Sequence, residues 1–147
     1  MALHGDPDHF LPGLGALLAA LPSAMLVCAG RGQIAAAEAF AARHSSGDAL
    51  VVLTLPAAGS DWASAREAAE LWAFTRWAAL ACASRGLRIN AIAIGRAALL
   101  PDQPAPQAAR PGVHAPATPA TADDVAAAIR LFWSAKSLTG QLVRLGA

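Results

Sequence analysis

The chain has 147 residues, enough for one domain with a hydrophobic core. Its formal net charge is +1 and its pI about 7.9, so no basic field points to nucleic acid. Charged residues make up only 14%, against roughly 25% in an average soluble domain, while 56% are hydrophobic, which favours a buried oligomer interface.

The first long apolar stretch, residues 10–30 (FLPGLGALLAALPSAMLVCAG), carries no charge and approaches membrane-span length. Pro12, Gly13, Gly15 and Pro22 interrupt it, and the preceding MALHGDPDH has no Lys or Arg, so neither a membrane span nor a signal peptide is expected. Phe10, Leu14, Leu17 and Leu18 recur at helical spacing and predict a helix over 8–20. Pro22 and Ser23 break it. The compact run AMLVCA, residues 24–29, suits a buried strand. After Gly30 and Gly32, QIAAAEAFAARH predicts a helix that ends at Ser45, Ser46 and Gly47.

Residues 49–55, ALVVLTL, are apolar on both faces, as parallel strands covered by helices are. A turn over 56–60 leads to Ser60 or Asp61, either of which can cap a helix over about 62–84. That helix is apolar nearly all round: Leu71, Phe74, Ala78 and Ala81 on one side, Trp72 and Leu80 on another, Trp77 between. Such a helix must be buried on more than one side. Gly86 stops it, and LRINAIAI, residues 87–94, forms the third strand. Six of the ten prolines fall in residues 96–120, a long irregular loop. Thr121 caps the next helix, with Asp123 and Asp124 at its positive end. Thr139 and Gly140 turn the chain into a short final strand, QLVRLG.

Strands alternating with helices predict a single α/β domain over residues 1–147, in three layers, with a parallel sheet of about four strands and right-handed crossovers. AMLVCA is then an edge strand, exposed unless something covers it. Cys28 and Cys82 lie in apolar runs and read as buried thiols. His4, His9, His44 and His114 show no metal-binding spacing, and His4 with Asp6, Asp8 and His9 reads as a polar N-terminus. His44 beside Ser45 and Ser46 is a loop, not a triad. Trp62, Trp72, Trp77 and Trp133 read as core or interface anchors, since no basic groove accompanies them.

Two separated motifs carry a family resemblance. Thr75-Arg76, the run Arg85-Gly86-Leu87-Arg88-Ile89-Asn90-Ala91-Ile92-Ala93, and Gly95 make up the first. Ala122-Asp123-Asp124-Val125-Ala126 and Leu138-Thr139-Gly140-Gln141 make up the second. In order and spacing they resemble the short-chain dehydrogenase/reductase family over roughly residues 48–147. Leu26-Val27-Cys28-Ala29-Gly30 resembles that family's fourth strand, which typically ends in Asn-Asn-Ala-Gly. The resemblance implies a small Rossmann-like domain that is the second half of a dinucleotide-binding fold, truncated before its first three strands. The rival reading takes residues 29–32, AGRG, as the remnant of a glycine-rich phosphate loop, which would make 24–44 the first strand–helix unit. Only Gly30 and Gly32 are available for it, and no acidic residue ends the following strand to hold a ribose.

The resemblance also says which chemistry is missing. The family uses a Tyr to move the proton and a Lys four residues later to lower the Tyr pKa and hold the ribose. Counting back from Asn90, those positions are Ser64 and Ala68. The chain contains no Tyr, and its one Lys is Lys136. The family's catalytic Ser would fall near Leu55 or Pro56, with Thr54 the nearby hydroxyl. The Pro-Gly pair that seats the nicotinamide is Ile94-Gly95.

Three functional readings follow. The leading one is a catalytically silent cytoplasmic subunit, with no catalytic, cofactor-binding or metal residues. It associates with itself or with a paralogous dehydrogenase, through Leu71, Phe74, Trp77, Ala78 and Ala81. The alternative is an NAD(P)-dependent oxidoreductase or ligand-binding module whose cleft at the strand carboxyl ends is lined by Gly30, Thr54, Ser60, Asp61 and Arg96. The third is a degenerate product with no selected activity.

Overall fold

The computed structural model describes residues 2–5, 13–19, 21–44, 46–55, 62–94 and 120–146. The expected Pro-rich loop lies outside them except for Ala120, as do residues 8–12 and 20 of the predicted 8–20 helix and the turn over 56–60. The elements run β1 (Ala2–His4), α1 (Leu14–Leu18), β2 (Met25–Cys28), α2 (Gln33–Arg43), β3 (Ala49–Leu55), α3 (Trp62–Cys82), β4 (Leu87–Ile94), α4 (Ala122–Ser134) and β5 (Leu142–Leu145).

The strands form one parallel sheet in the order β1-β2-β3-β4-β5. Two of them, β3 and β4, pair along seven residues from Ala49↔Leu87 to Leu55↔Ala93, and both are buried nearly end to end. The apolar run Ala49–Leu53 of β3, and the burial of β4 around its two polar residues Arg88 and Asn90, follow from cover on both faces. Among the described residues the sheet has five strands, the expected four and β1, so β2 is not left as an exposed edge. Ala2–His4 pairs with Leu26–Cys28 and covers it, and the Ala29 N–H donates to the His4 carbonyl at 2.8 Å. Just beyond, Gly5 adopts φ +84°, and a Cβ there would lie 1.6 Å from the Ala29 oxygen, so only glycine lets the chain turn away from β2.

Side chains alternate between two cores. Leu26, Cys28, Val51, Leu53, Ile89 and Ala91 meet α2 and α3 through Phe40, Leu71, Ala78 and Cys82. On the other face Met25, Val27, Leu50, Val52, Ile92 and Ile94 meet α1 and α4 through Leu18, Ile129 and Phe132. Every step across the sheet runs the same way between parallel strands. The β1–α1–β2 and β4–α4–β5 units therefore have the opposite hand to β2–α2–β3 and β3–α3–β4. The expectation of right-handed crossovers throughout fails here. The sheet has apolar side chains on both faces, and a single hand would leave one of them bare.

Local signals set the helix ends. Thr121 and Asp124 form a capping box at α4: the Asp124 N–H donates to Thr121 Oγ1 at 3.2 Å, and the Thr121 N–H to Asp124 Oδ2 at 2.8 Å. The Thr121 N–H and hydroxyl, both donating to Asp124 Oδ2 at 2.8 Å, hold the Asp124 carboxyl below its ordinary pKa. A short 3-10 turn, Ala83–Arg85, ends α3, and Gly86 follows with φ +75°. A Cβ on Gly86 would come within 2.7 Å of the Gly47 carbonyl oxygen. The buried Thr75 hydroxyl donates to the Leu71 carbonyl at 2.7 Å, which removes the cost of placing it in the core.

The residues that carry the family resemblance lock the last third of the fold together. Asn90, fully buried on β4, donates from Nδ2 to the Leu138 carbonyl at 3.1 Å and accepts from the Gln141 N–H at 3.0 Å. The Ile89 N–H donates to Thr139 Oγ1 at 3.2 Å, and the Gly140 N–H to the Ile89 carbonyl at 2.7 Å. The two motifs, distant in sequence, are therefore two halves of one contact.

Candidate functional site

Three regions carry the functional side chains: the carboxyl end of the sheet, its amino end, and the outer face of α3.

At the carboxyl end, β2 leads through Gly30 and Gly32, with φ +95° and +79°, into α2. Gln33, the first residue of α2 and 3% exposed, reaches across to β3. Its Nε2 donates to the Thr54 carbonyl at 2.7 Å and the Gly30 carbonyl at 2.9 Å, and its Oε1 accepts from the Thr54 N–H at 2.9 Å. Thr54 Oγ1 donates to the Cys28 carbonyl at 2.8 Å. The Cys28 thiol is buried beneath, and burial pushes its pKa up to about 12, so it stays protonated and inert. His4 closes the top: its Nε2 donates to the Arg31 carbonyl at 2.7 Å, and a Cβ on Gly32 would meet that nitrogen at 3.4 Å.

Of the predicted cleft residues, the structure brings Gly30 and Thr54 together. Ser60, Asp61 and Arg96 lie outside the described residues. Thr54 is only 2% exposed, and its hydroxyl serves the fold. Sequence reasoning missed Gln33, and it placed His4 with Asp6, Asp8 and His9 in a polar N-terminus without its contact to the glycine turn. The one signal for Gln33 was a polar residue opening an otherwise apolar helix, just after the glycine pair. His4 left none.

At the amino end, a groove of about 780 Å³ contains Asp48, Arg85, Arg88 and Lys136. Arg88 is buried and donates through Nε and Nη2 to Asp48 Oδ1 at 3.0 and 2.8 Å. It also donates to the carbonyls of Phe132, Trp133 and Ala135, satisfying the open end of α4. Lys136 pairs with Asp48 Oδ2 and lies 4.1 Å over the Trp133 ring. Partial burial raises the Asp48 pKa, but hydrogen bonds and charge from Lys136 and Arg88 outweigh it and hold the carboxyl below its ordinary value. Arg85 donates to Cys82 Sγ at 3.0 Å. Each of these cations serves helix ends or a neighbouring side chain, so the groove reads as structural.

On α3 the five expected interface residues separate. Leu71 and Ala78, 4% and 2% exposed, point into the sheet. Phe74 is half-buried, its ring 6.0 Å from that of Trp77, and Ala81 is exposed. Trp77 is 63% exposed, and Leu80 and Trp62, which the interface set did not include, are 83% and 79% exposed. Ala73, Arg76, Trp77 and Leu80 line a groove of about 450 Å³ closed by Thr139 and Gly140. Ala68, at the position of the family's Lys, packs against the core that α2 and α3 cover. Among the described residues no cluster of three or more His, Cys, Asp or Glu side chains comes together, and no helix is long and apolar enough to cross a membrane.

No family model matches the chain, and no curated protein matches it. Solved structures do. The enoyl-[acyl-carrier-protein] reductase (NADH) of Aquifex aeolicus VF5 superposes with a TM-score of 0.58 at 16% identity, over 82% of this chain and 59% of that one. A short chain dehydrogenase/reductase from Brucella ovis gives a TM-score of 0.55 at 24% identity, over 77% and 49%. A short chain dehydrogenase from Mycobacterium smegmatis gives 0.56 at 18%, over 84% and 58%.

The chain has the short-chain dehydrogenase/reductase fold.

It spans about half to three-fifths of the length of these three structures. The described residues do not fit the nicotinamide dinucleotide that this fold implies. Ala68 has no charge to hold a ribose, the Thr54 hydroxyl is committed to Cys28, and His4 lies over the glycine turn. The scaffold side chains of the short-chain dehydrogenase/reductase pattern, Arg88 and Asn90, are present and fully bonded.

Proposed function

We propose that this chain is a catalytically silent, short-chain dehydrogenase/reductase-like subunit that acts in the cytoplasm by association. The outer face of α3 is its contact surface, and its partner is a second copy or an intact dehydrogenase. The observation that carries this reading is the pair Trp77 and Leu80, 63% and 83% exposed beside one groove. Covering two such side chains is worth about 1.5–3 kcal/mol each, and aromatic anchors of this kind dominate protein interfaces. The same helix carries Ser64 and Ala68 where the enzymes of this fold carry their Tyr and Lys. One element thus lacks the reacting groups while presenting a contact face.

Light scattering on the purified chain, together with co-purification from the native source, tests the reading. The expected result is an oligomer, alone or with a dehydrogenase, that Trp77→Glu dissociates. A monodisperse monomer that recovers no dehydrogenase overturns it. So does saturable NADH or NADPH binding with turnover of a carbonyl substrate.

A further inference from the structure

We infer that the β2 edge of the sheet is a strand-binding site, and that β1 is a strap filling it from within the same chain. The ligand it takes is an extended segment running parallel to β2. That segment reads small residue, any residue, His, Gly, as residues 2–5 do. The α3 face plays no part in it.

β1 belongs to the fold only lightly. It pairs with β2 over three residues, Ala2↔Leu26 to His4↔Cys28, whereas β3 and β4 pair over seven. Among the described residues no strand lies on its other side. Leu3 is 42% exposed, and Ala2 and His4 are half-buried. A segment with so few covered side chains opens at far lower cost than the whole domain. β2 is different. Met25 and Val27 are buried in one core, Leu26 and Cys28 in the other. β2 therefore stays in place when β1 leaves. Its edge then offers unpaired backbone groups, a template for another strand.

The contacts of β1 define what that strand must be. Ala2 packs against the core that α2 and α3 cover, where a methyl group fills the space. Leu3 faces largely into solvent and makes no such demand. His4 is fixed twice: its carbonyl accepts from the Ala29 N–H at 2.8 Å, and its Nε2 donates to the Arg31 carbonyl at 2.7 Å. Gly5 follows with φ +84°, and a Cβ there would lie 1.6 Å from the Ala29 oxygen, which excludes any side chain. Main-chain bonds supply affinity in such a site, and the side-chain positions supply specificity. β1 competes as a tethered ligand, at an effective concentration of about millimolar. It thus keeps the edge shut, and its release also lifts His4 from the Arg31–Gly32 turn that opens α2.

The probe is the acetylated, amidated peptide Ala-Leu-His-Gly, offered to the full chain and to two variants that loosen the strap, Gly5→Ala and His4→Ala. Hydrogen exchange resolved by residue follows the Ala29 amide. In both variants that amide is expected to exchange at least about tenfold faster than in wild type, while the amides of β3 and β4 keep their protection. Saturating peptide is expected to restore it. In NMR titration the peptide should bind Gly5→Ala at least about tenfold more tightly than wild type, where the tethered strand competes. The same peptide with Ala in place of its Gly should not bind.

Four results overturn the inference. Ala29 protected as in wild type in both variants would show that His4 and Gly5 do not hold the strap. Lost protection that the peptide does not restore would show that the edge takes no strand. Equal binding of the peptide without Gly would put it elsewhere on the chain. Protection lost throughout the sheet in both variants would show that β1 does not open apart from the rest.

Discussion

The side-chain amide of Gln33 pairs with both backbone polar groups of Thr54, donating from Nε2 at 2.7 Å and accepting at Oε1 at 2.9 Å. The reason is that β2 stops one residue short. Its last rung is Cys28↔Leu53, so nothing in the sheet faces Thr54 on that side. The amide stands in for one more strand residue and ties the first turn of α2 to β3.

Gln33→Ala is therefore expected to destabilise the fold by about 2–3 kcal/mol, since it leaves buried backbone groups of Thr54 unsatisfied. Gln33→Glu should cost a similar amount, because a carboxylate cannot donate to the Thr54 and Gly30 carbonyls. Urea denaturation followed by Trp fluorescence measures both. A change below about 0.5 kcal/mol would show that water replaces the amide without loss.

The pH dependence of stability should carry the mark of Asp48. Its folded pKa is depressed, so its contribution is complete above the unfolded carboxylate value of about 3.9 and is lost as pH falls through the folded pKa. The side chain is 42% exposed, which limits the effect to about 1 kcal/mol. Denaturation midpoints between neutral pH and acid are expected to fall less steeply in Asp48→Asn than in wild type over that window. Parallel curves would refute the assignment.

Arg88 and Lys136 share Asp48 but should differ in weight. Arg88→Ala removes a buried cation that also holds three carbonyls at the end of α4, and is expected to cost about 3 kcal/mol. Lys136 is 56% exposed, and Lys136→Ala should cost under about 1 kcal/mol. Thermal melts of the two variants decide the order.

Thr121→Ala removes the capping hydroxyl from α4 and should cost about 1 kcal/mol. Hydrogen exchange should place the loss in the first turn of the helix, with the amide of Asp124 least protected. Unchanged exchange at that amide would show that the cap does not limit fraying.

The strands over 49–55 and 87–94 have the bounds that sequence reading expects, because apolar, β-favouring residues dominate each and Pro56 and Gly95 end them. The start of α4 was equally plain from Thr121 and Asp124. β1 was not: three residues beside a polar segment carry no period. The α3 face was half legible. A helix apolar all round says that several sides are covered but not by what, so Leu71 and Ala78, which meet the sheet, looked like Trp77, which does not. Gln33 was out of reach because its partner lies on another element, and only the fold shows that β2 ends too early. Asn90 and Thr139 stood out as a pattern, and their reason, a shared set of hydrogen bonds, is visible only once β4 and the final turn are side by side.

The strand order carries one more consequence. Among the described residues each strand lies beside the one that precedes it in the chain, so neighbouring strands of the sheet are also successive ones. From β2 to β4 each loop closure spans a short segment with one helix, and the closure of β5 on β4 is the longest. A nascent chain can lay down this platform in the order in which the ribosome delivers it, and β5 sets the last plank when the Thr139 turn reaches Asn90.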